Sequence, residues 1–176
     1  ITAAREAGAI LSFDLNLRFP LWPNREQLRQ TVWQFLPLTH ILKLSDEELP
    51  FLTGTEDIEA ALPALFTGDV QLVLYTCGSK GDRAYTRTAS ARARSHKVTA
   101  VDTTGAGDGF IGSFLWQLQR DGVITAELPK LSRKRLTEYL AFSNRFCAIS
   151  VQHHGALDSY PTLAQMEQPE TDFPLP

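Results

Sequence analysis

Apolar and polar positions alternate in a way that predicts strands and helices in turn. Ile10 to Phe13 is a short apolar run ending on Asp14, the form of a buried parallel strand whose carboxyl end meets a functional loop. The polar loop Asn16-Leu17-Arg18-Phe19-Pro20 follows. Leu28, Val32 and Phe35 recur at helical spacing, which predicts a helix over Asn24 to Phe35 with Asn24 as its cap and Pro37 just beyond it. Ile41-Leu42-Lys43-Leu44 reads as a strand, and Ser45-Asp46-Glu47-Glu48 has the cap-plus-acid form of a helix start, with a stop near Gly54. A second acidic start at Thr55 leads through Ile58, Ala61, Leu62 and Leu65 to a strand over Gln71 to Thr76.

Cys77 to Asp82 reads as a turn, and Ala84 to Thr86 with His96 to Val98 as the strands of a small hairpin that interrupts the alternation. Asp102 to Asp108 opens a helix whose buried side carries Phe110, Ile111, Phe114, Leu115 and Leu118. Another helix runs from Ser132 towards Val151, and the tail after Pro161 is expected to be weakly structured. Strands separated by helices imply a mostly parallel sheet covered on both faces, an α/β architecture of three layers. Ligands of such sheets bind beyond the carboxyl ends of the strands, where Asp14 to Arg18, Ser45 to Glu48, Thr76 to Gly81 and Asp102 to Asp108 would gather.

Composition narrows the function classes. With 176 residues, 43% of them apolar, the chain suits one core-forming domain. Seventeen Lys and Arg against twenty Asp and Glu are interspersed, which gives no broad basic face for nucleic acid. No apolar run reaches the roughly 18 residues that span a bilayer, so a soluble, cytoplasmic protein without a membrane partner is expected. Cys77 and Cys147 lack metal-ligand spacing and are read as reduced thiols. The only methionine is Met166 and the chain opens inside a helix-like segment, the pattern of a piece of a longer polypeptide.

Asp102-Thr103-Thr104-Gly105-Ala106-Gly107-Asp108 carries the chemistry. Gly105 and Gly107 let the backbone approach a ligand closely, and the amides at the new helix's start point outward with the positive end of its dipole, a geometry that holds an anion. A carboxylate at Asp108 beside that anion makes sense if it accepts a proton from an alcohol attacking a phosphoryl group. The competing reading is a turn followed by a helix-stabilising acid. Against it, a chance match to all seven residues has odds on the order of 10⁻⁵. Gly78-Ser79-Lys80-Gly81 lacks the spacing of a Walker A loop, and no GxGxxG follows the first strand. Trp22, Trp33 and Trp116 are read as packing residues, not base-stacking platforms.

The seven-residue string resembles the signature of the ribokinase-like (PfkB-type) carbohydrate kinases. Ser12 to Arg18 resembles the corresponding loop of the fructokinase branch, and Gln152-His153-His154-Gly155-Ala156 the segment that closes the nucleotide site. The resemblance covers nearly the whole chain but only the carboxyl-terminal part of the family's domain, so the ribokinase-like fold would be present as a partial domain over residues 1–176, without the amino-terminal sugar-binding half and lid. Leu15 departs from the proline usual in this branch.

By this resemblance Asp108 is the catalytic base, and the amides of Gly105, Ala106 and Gly107 form an anion hole. Asn16 and Arg18 lie near the nucleotide phosphates, Thr76, Cys77, Gly78, Ser79, Lys80 and Gly81 form the nucleotide loop, and Asn144 lies near the adenine. Asp102 and Thr104, with Ser150, His153, Gly155 and Ser159, match the family's monovalent-cation site, where an oxygen-rich shell suits potassium; a turn-stabilising role for Asp102 remains an alternative. Glu48 matches an acid that influences magnesium, although a capping box with Ser45 explains it equally well.

The implied activity is ATP-dependent phosphorylation of a sugar's primary hydroxyl with Mg²⁺ and K⁺ as cofactors, fructose being favoured. Aminoimidazole riboside or ketodeoxygluconate kinases and a non-catalytic nucleotide-binding module are the alternatives. The resemblance also implies a homodimeric full-length protein and weak or absent activity for the fragment alone.

Overall fold

The computed structural model describes residues 1–168; the last part of the tail, 169–176, lies outside the described residues. A short helix, α1 (Thr2–Glu6), leads to strand β1 (Ser12–Asp14). Helix α2 (Arg25–Phe35) starts where the Asn24 side chain accepts the Gln27 amide at 2.8 Å, and its buried face presents Leu28 and Val32. Strand β2 (Ile41–Ser45), helices α3 (Glu48–Thr53) and α4 (Ile58–Leu65), and strand β3 (Leu72–Thr76) complete the parallel part of the sheet. Gly54, at φ +77°, ends α3 in the left-handed conformation that glycine adopts without strain. The cap of α4 is Asp57 rather than Thr55: its carboxylate accepts the Glu59 amide at 2.9 Å.

Strands β4 (Asp82–Tyr85) and β5 (Ser90–Ala93) follow antiparallel, so the five strands lie in sequence order. The hairpin differs from the expectation, because His96 to Val98 is not a strand. The hydroxyl of Thr86 accepts the Ala89 amide at 2.9 Å and the Thr86 amide donates to Ala89 O at 2.8 Å. That turn brings the chain back within four residues and commits Ser90 to Ala93 to the ladder, although Ser-Ala-Arg-Ala has weak strand propensity.

Helix α5 (Ala106–Arg120) and helix α6 (Arg133–Ser150) pack on each other and on the sheet. Ser132 caps α6 through its hydroxyl and the Arg135 amide. Among the described residues, the segment after Pro161 contains a short helix, α7 (Leu163–Met166), that ends on the buried Met166, where weak structure is expected from the sequence.

The pleat divides the core in two. Leu42, Leu44, Val73, Tyr75 and Tyr85 face a cluster with residues of α2, α3 and α4, while Ile41, Leu72, Leu74, Ala84 and Ala91 face a cluster with residues of α5 and α6. Lys43 interrupts this apolar strand. It is buried and lies on the Ile41 face, towards α5. Among the described residues no helix is long and apolar enough to cross a membrane.

Candidate active site

Parallel pairing sets Asp14 opposite Lys43 and Ser45 opposite Thr76, so three strand ends open onto one edge of the sheet. The glycine turn meets this edge from the side of α5. Gly105, the residue before α5, has φ +77°, and a β-carbon there would stand 2.9 Å from Ala156 Cβ and 3.1 Å from Tyr160 Oη. Conformation and space both call for glycine. Tyr160 Oη donates to Gly105 O at 2.7 Å, and the Ala106 amide donates to Thr103 O at 3.1 Å. Of the three amides expected to face an anion, that of Ala106 is therefore satisfied within the turn. The amides of Gly107 and Asp108 stand in the first turn of a fifteen-residue helix, which leaves such groups without intrahelical acceptors.

Lys43, which the motif reading passed over, completes this arrangement. Its ammonium is 3.0 Å from Asp14 Oδ1, and a β-carbon at position 107 would lie 3.1 Å from its Nζ. A cation thus rests directly against the glycine turn because residue 107 has no side chain. Burial pushes the Asp14 carboxyl above the usual carboxylate range; Lys43 opposes that shift, and Glu48 and Asp108 add to it. Asp14 thus feels two further carboxylates as well as the ammonium it pairs with. A lysine in an otherwise apolar strand run was the available sequence signal, since burying a charge requires a partner.

A cavity of about 340 Å³ lies on one side of the turn, lined by Thr76, Gly78, Ser79, Gly107 and Asn144. The structure thus gathers residues from the predicted nucleotide loop, the predicted anion hole and α6. Asp82 and His96, which the sequence does not single out, line it too, as does the Cys147 thiol. Asn144 donates through Nδ2 to Arg94 O at 3.2 Å. Lys80 is tied outside by an ion pair with Asp46 at 3.1 Å. On the other side of the turn, Asp108 lines a separate apolar hollow with Gly112, Trp116, Phe146 and Tyr160. Asn16 and Arg18 are not brought to the first cavity; they line a third, beside β1, with Leu15 and Trp22. Asn16 is the one non-glycine residue at positive φ (+41°) among the described residues.

Glu48 bridges two segments. Its Oε1 accepts the Leu17 amide at 2.9 Å and its Oε2 the Ser45 amide at 2.8 Å, while the Ser45 hydroxyl accepts the Glu48 amide at 3.2 Å. The reciprocal bonding of a capping box is present, extended to the loop after β1.

Residues of the predicted cation site also converge. Asp102 accepts the Thr104 amide at 2.9 Å and the Gly155 amide at 3.0 Å; hydrogen bonds from Thr104 and then Gly155 hold its carboxyl at about 2. The hydroxyls of Ser150 and Ser159 are 2.7 Å apart, and the His153 amide donates to Ser150 O at 3.0 Å. The donor set is entirely oxygen.

The chain as a whole is similar to known proteins. Fructokinase-1 of Zea mays is 39% identical over 166 residues, covering 94% of this chain and 50% of its own length. A crystal structure of fructokinase with bound ATP from Xylella fastidiosa superposes with a TM-score of 0.87 at 34% identity, covering 94% of this chain and 52% of that one. Aminoimidazole riboside kinase from Salmonella enterica, solved with aminoimidazole riboside and an ATP analog, gives a TM-score of 0.77 at 30% identity over 92% of this chain and 52% of its own. The chain spans about half the length of these relatives. The mostly parallel sheet between two helical layers is that of these ribokinase-like kinases. A model of the pfkB family carbohydrate kinases matches residues 1–163, from the first helix to the start of the last, and the chain belongs to that family.

Proposed function

We propose that this chain is the nucleotide-binding and base-bearing, carboxyl-terminal part of an ATP-dependent sugar kinase that phosphorylates a primary hydroxyl, with fructose as the favoured acceptor. The observation that carries this reading is the glycine turn at the start of α5, where a buried ammonium touches Gly107 and a carboxylate follows at Asp108. ATP fits the cavity of Thr76, Gly78, Ser79, Gly107 and Asn144, which leads to that turn. Bound there, ATP supplies the phosphoryl group. The first-turn amides and Lys43 stabilise negative charge at the turn, and Asp108 on its opposite side accepts the acceptor's hydroxyl proton.

An oxygen-only shell at Asp102, Thr104, Ser150, His153, Gly155 and Ser159 suits a monovalent cation such as potassium, which would neutralise charge behind the turn. Both Glu48 oxygens already accept amides, an arrangement that suits a water-mediated contact with Mg²⁺. Its observed work is to fix the Leu17 backbone. Assembly as a homodimer and a cytoplasmic setting belong to the same reading.

The decisive experiment is Asp108→Asn in the polypeptide that carries this chain. We expect turnover to fall by about 10²–10⁴-fold with nucleotide affinity retained. Unchanged turnover would remove Asp108 from the chemistry, and a wild-type protein that binds nucleotide but phosphorylates no sugar would identify a binding module instead. A panel containing fructose, aminoimidazole riboside and ketodeoxygluconate separates the acceptors. Residues 1–176 alone contain the phosphate side and the base, so weak or absent sugar phosphorylation is expected from that piece.

A further inference from the structure

Asp82 is a buried carboxylate to which the phosphoryl-transfer reading gives no task. It opens β4 directly after the nucleotide loop, is 6% exposed, and lines the same cavity as Gly78, Ser79, Gly107 and Asn144. Its Oδ1 accepts the Cys77 amide at 3.0 Å, while its backbone stands in register with Thr76. One side chain thus spans the loop between β3 and β4 and fixes Cys77, the first residue after β3, to the strand that follows. Inside the loop, Gly78 and Gly81 sit at φ +52° and +90°, a path open to glycine, and the Asp82 carboxylate ties its start to its end.

The groups facing Asp82 oppose a second negative charge. Lys43 on β2 favours its charged form, but that ammonium is already held 3.0 Å from Asp14. Asp46, just after β2, adds repulsion. Cys147 on α6 interacts with it as a thiol that burial pushes up to about 12, and the Cys77 thiol is raised by burial and by Asp46 and Asp82, so neither is a neutralising charge. His96 lines the cavity as well.

We propose that Asp82 is the positioning residue of the nucleotide loop and that its carboxyl group takes up a proton from solvent when nucleotide phosphates enter the cavity beside Gly107. This rests on the nucleotide reading above. Phosphates placed there add negative charge to the space that Asp82 lines and engage Lys43, whose charge supports the carboxylate, so the acid form is favoured in the complex. The side chain keeps its hydrogen bond in either state, since the neutral acid still has a carbonyl oxygen for the Cys77 amide. Burial, only partly offset by the Cys77 amide and Lys43, already brings the group to about 7, which places the coupling in the physiological range.

The test is calorimetric titration of ADP into the polypeptide carrying this chain, in pairs of buffers with different ionisation heats, for wild type and Asp82→Asn. Protons exchanged by ADP itself are common to both proteins, and asparagine retains the acceptor for the Cys77 amide. Wild type is expected to take up about half a proton more than Asp82→Asn per ADP at pH 7, and its affinity to fall by up to about tenfold per pH unit above that, where the variant stays flat. Asp82→Leu, which also removes the acceptor, is expected to weaken ADP binding at every pH. If a variant does not fold, carboxyl-carbon magnetic resonance of wild type serves: the Asp82 midpoint should rise on adding ADP. Equal proton uptake in the two proteins, or an unmoved midpoint, overturns the proposal while leaving nucleotide binding intact. Failure of wild type to bind ADP overturns the nucleotide reading and this proposal with it.

Discussion

At the scale of single residues, the site is built by what glycine omits and what burial does to charge. Gly105 sits in a conformation that costs other residues roughly 1–2 kcal/mol, and its missing β-carbon leaves room for Ala156 and the Tyr160 hydroxyl. Gly105→Ala is therefore expected to lower stability by at least about 1 kcal/mol and to weaken nucleotide binding, read by thermal unfolding and ADP titration. An unchanged melting temperature would show that the turn can shift without cost. At Gly107 the constraint is different: its backbone is helical, and the neighbour is the Lys43 ammonium. That pairing of a strand lysine with a helix-start glycine, 64 positions apart in sequence, is how Lys43 reaches the turn.

At the scale of elements, boundaries follow local hydrogen bonding more closely than apolar periodicity. Asn24 and Ser132 cap their helices where the sequence places them, because each offers a side-chain oxygen to the third residue beyond it. The start of α3 is more than a cap. Glu48 holds Ser45 and Leu17 together, so Glu48→Ala should release both amides, cost about 1.5–3 kcal/mol and abolish hydrogen-exchange protection at Leu17. Retained protection at Leu17 would mean that the loop after β1 is held by other contacts. The second hairpin strand was misplaced for a related reason: Ser90 to Ala93 has little intrinsic preference for a strand, and Thr86 closes the turn that recruits it.

At the scale of the whole molecule, proton linkage ties the site to stability. The Asp82 carboxyl lies near 7 in the fold and near its ordinary 3.8 when unfolded, so between those values the native state binds more protons and stability falls as pH rises. Asp82→Asn should therefore raise the melting temperature at pH 8 by the equivalent of about 1–4 kcal/mol and leave it nearly unchanged at pH 3; equal shifts at both would refute the linkage. Asp102 acts in the opposite sense, its depressed carboxyl contributing stability above about 4 that is lost as pH falls towards 2. By itself the sequence determined the alternation of strands and helices, the edge at which the loops gather and the glycine string, because periodicity, caps and glycine are local properties. Only the tertiary structure decided that Lys43 abuts Gly107, that Asp82 accepts the Cys77 amide across the turn between β3 and β4, and that Asn16 and Arg18 line a different cavity from Asn144. Those relations depend on strand register and on which face of the sheet α5 covers, and such contacts between distant segments leave no periodic trace in a single chain.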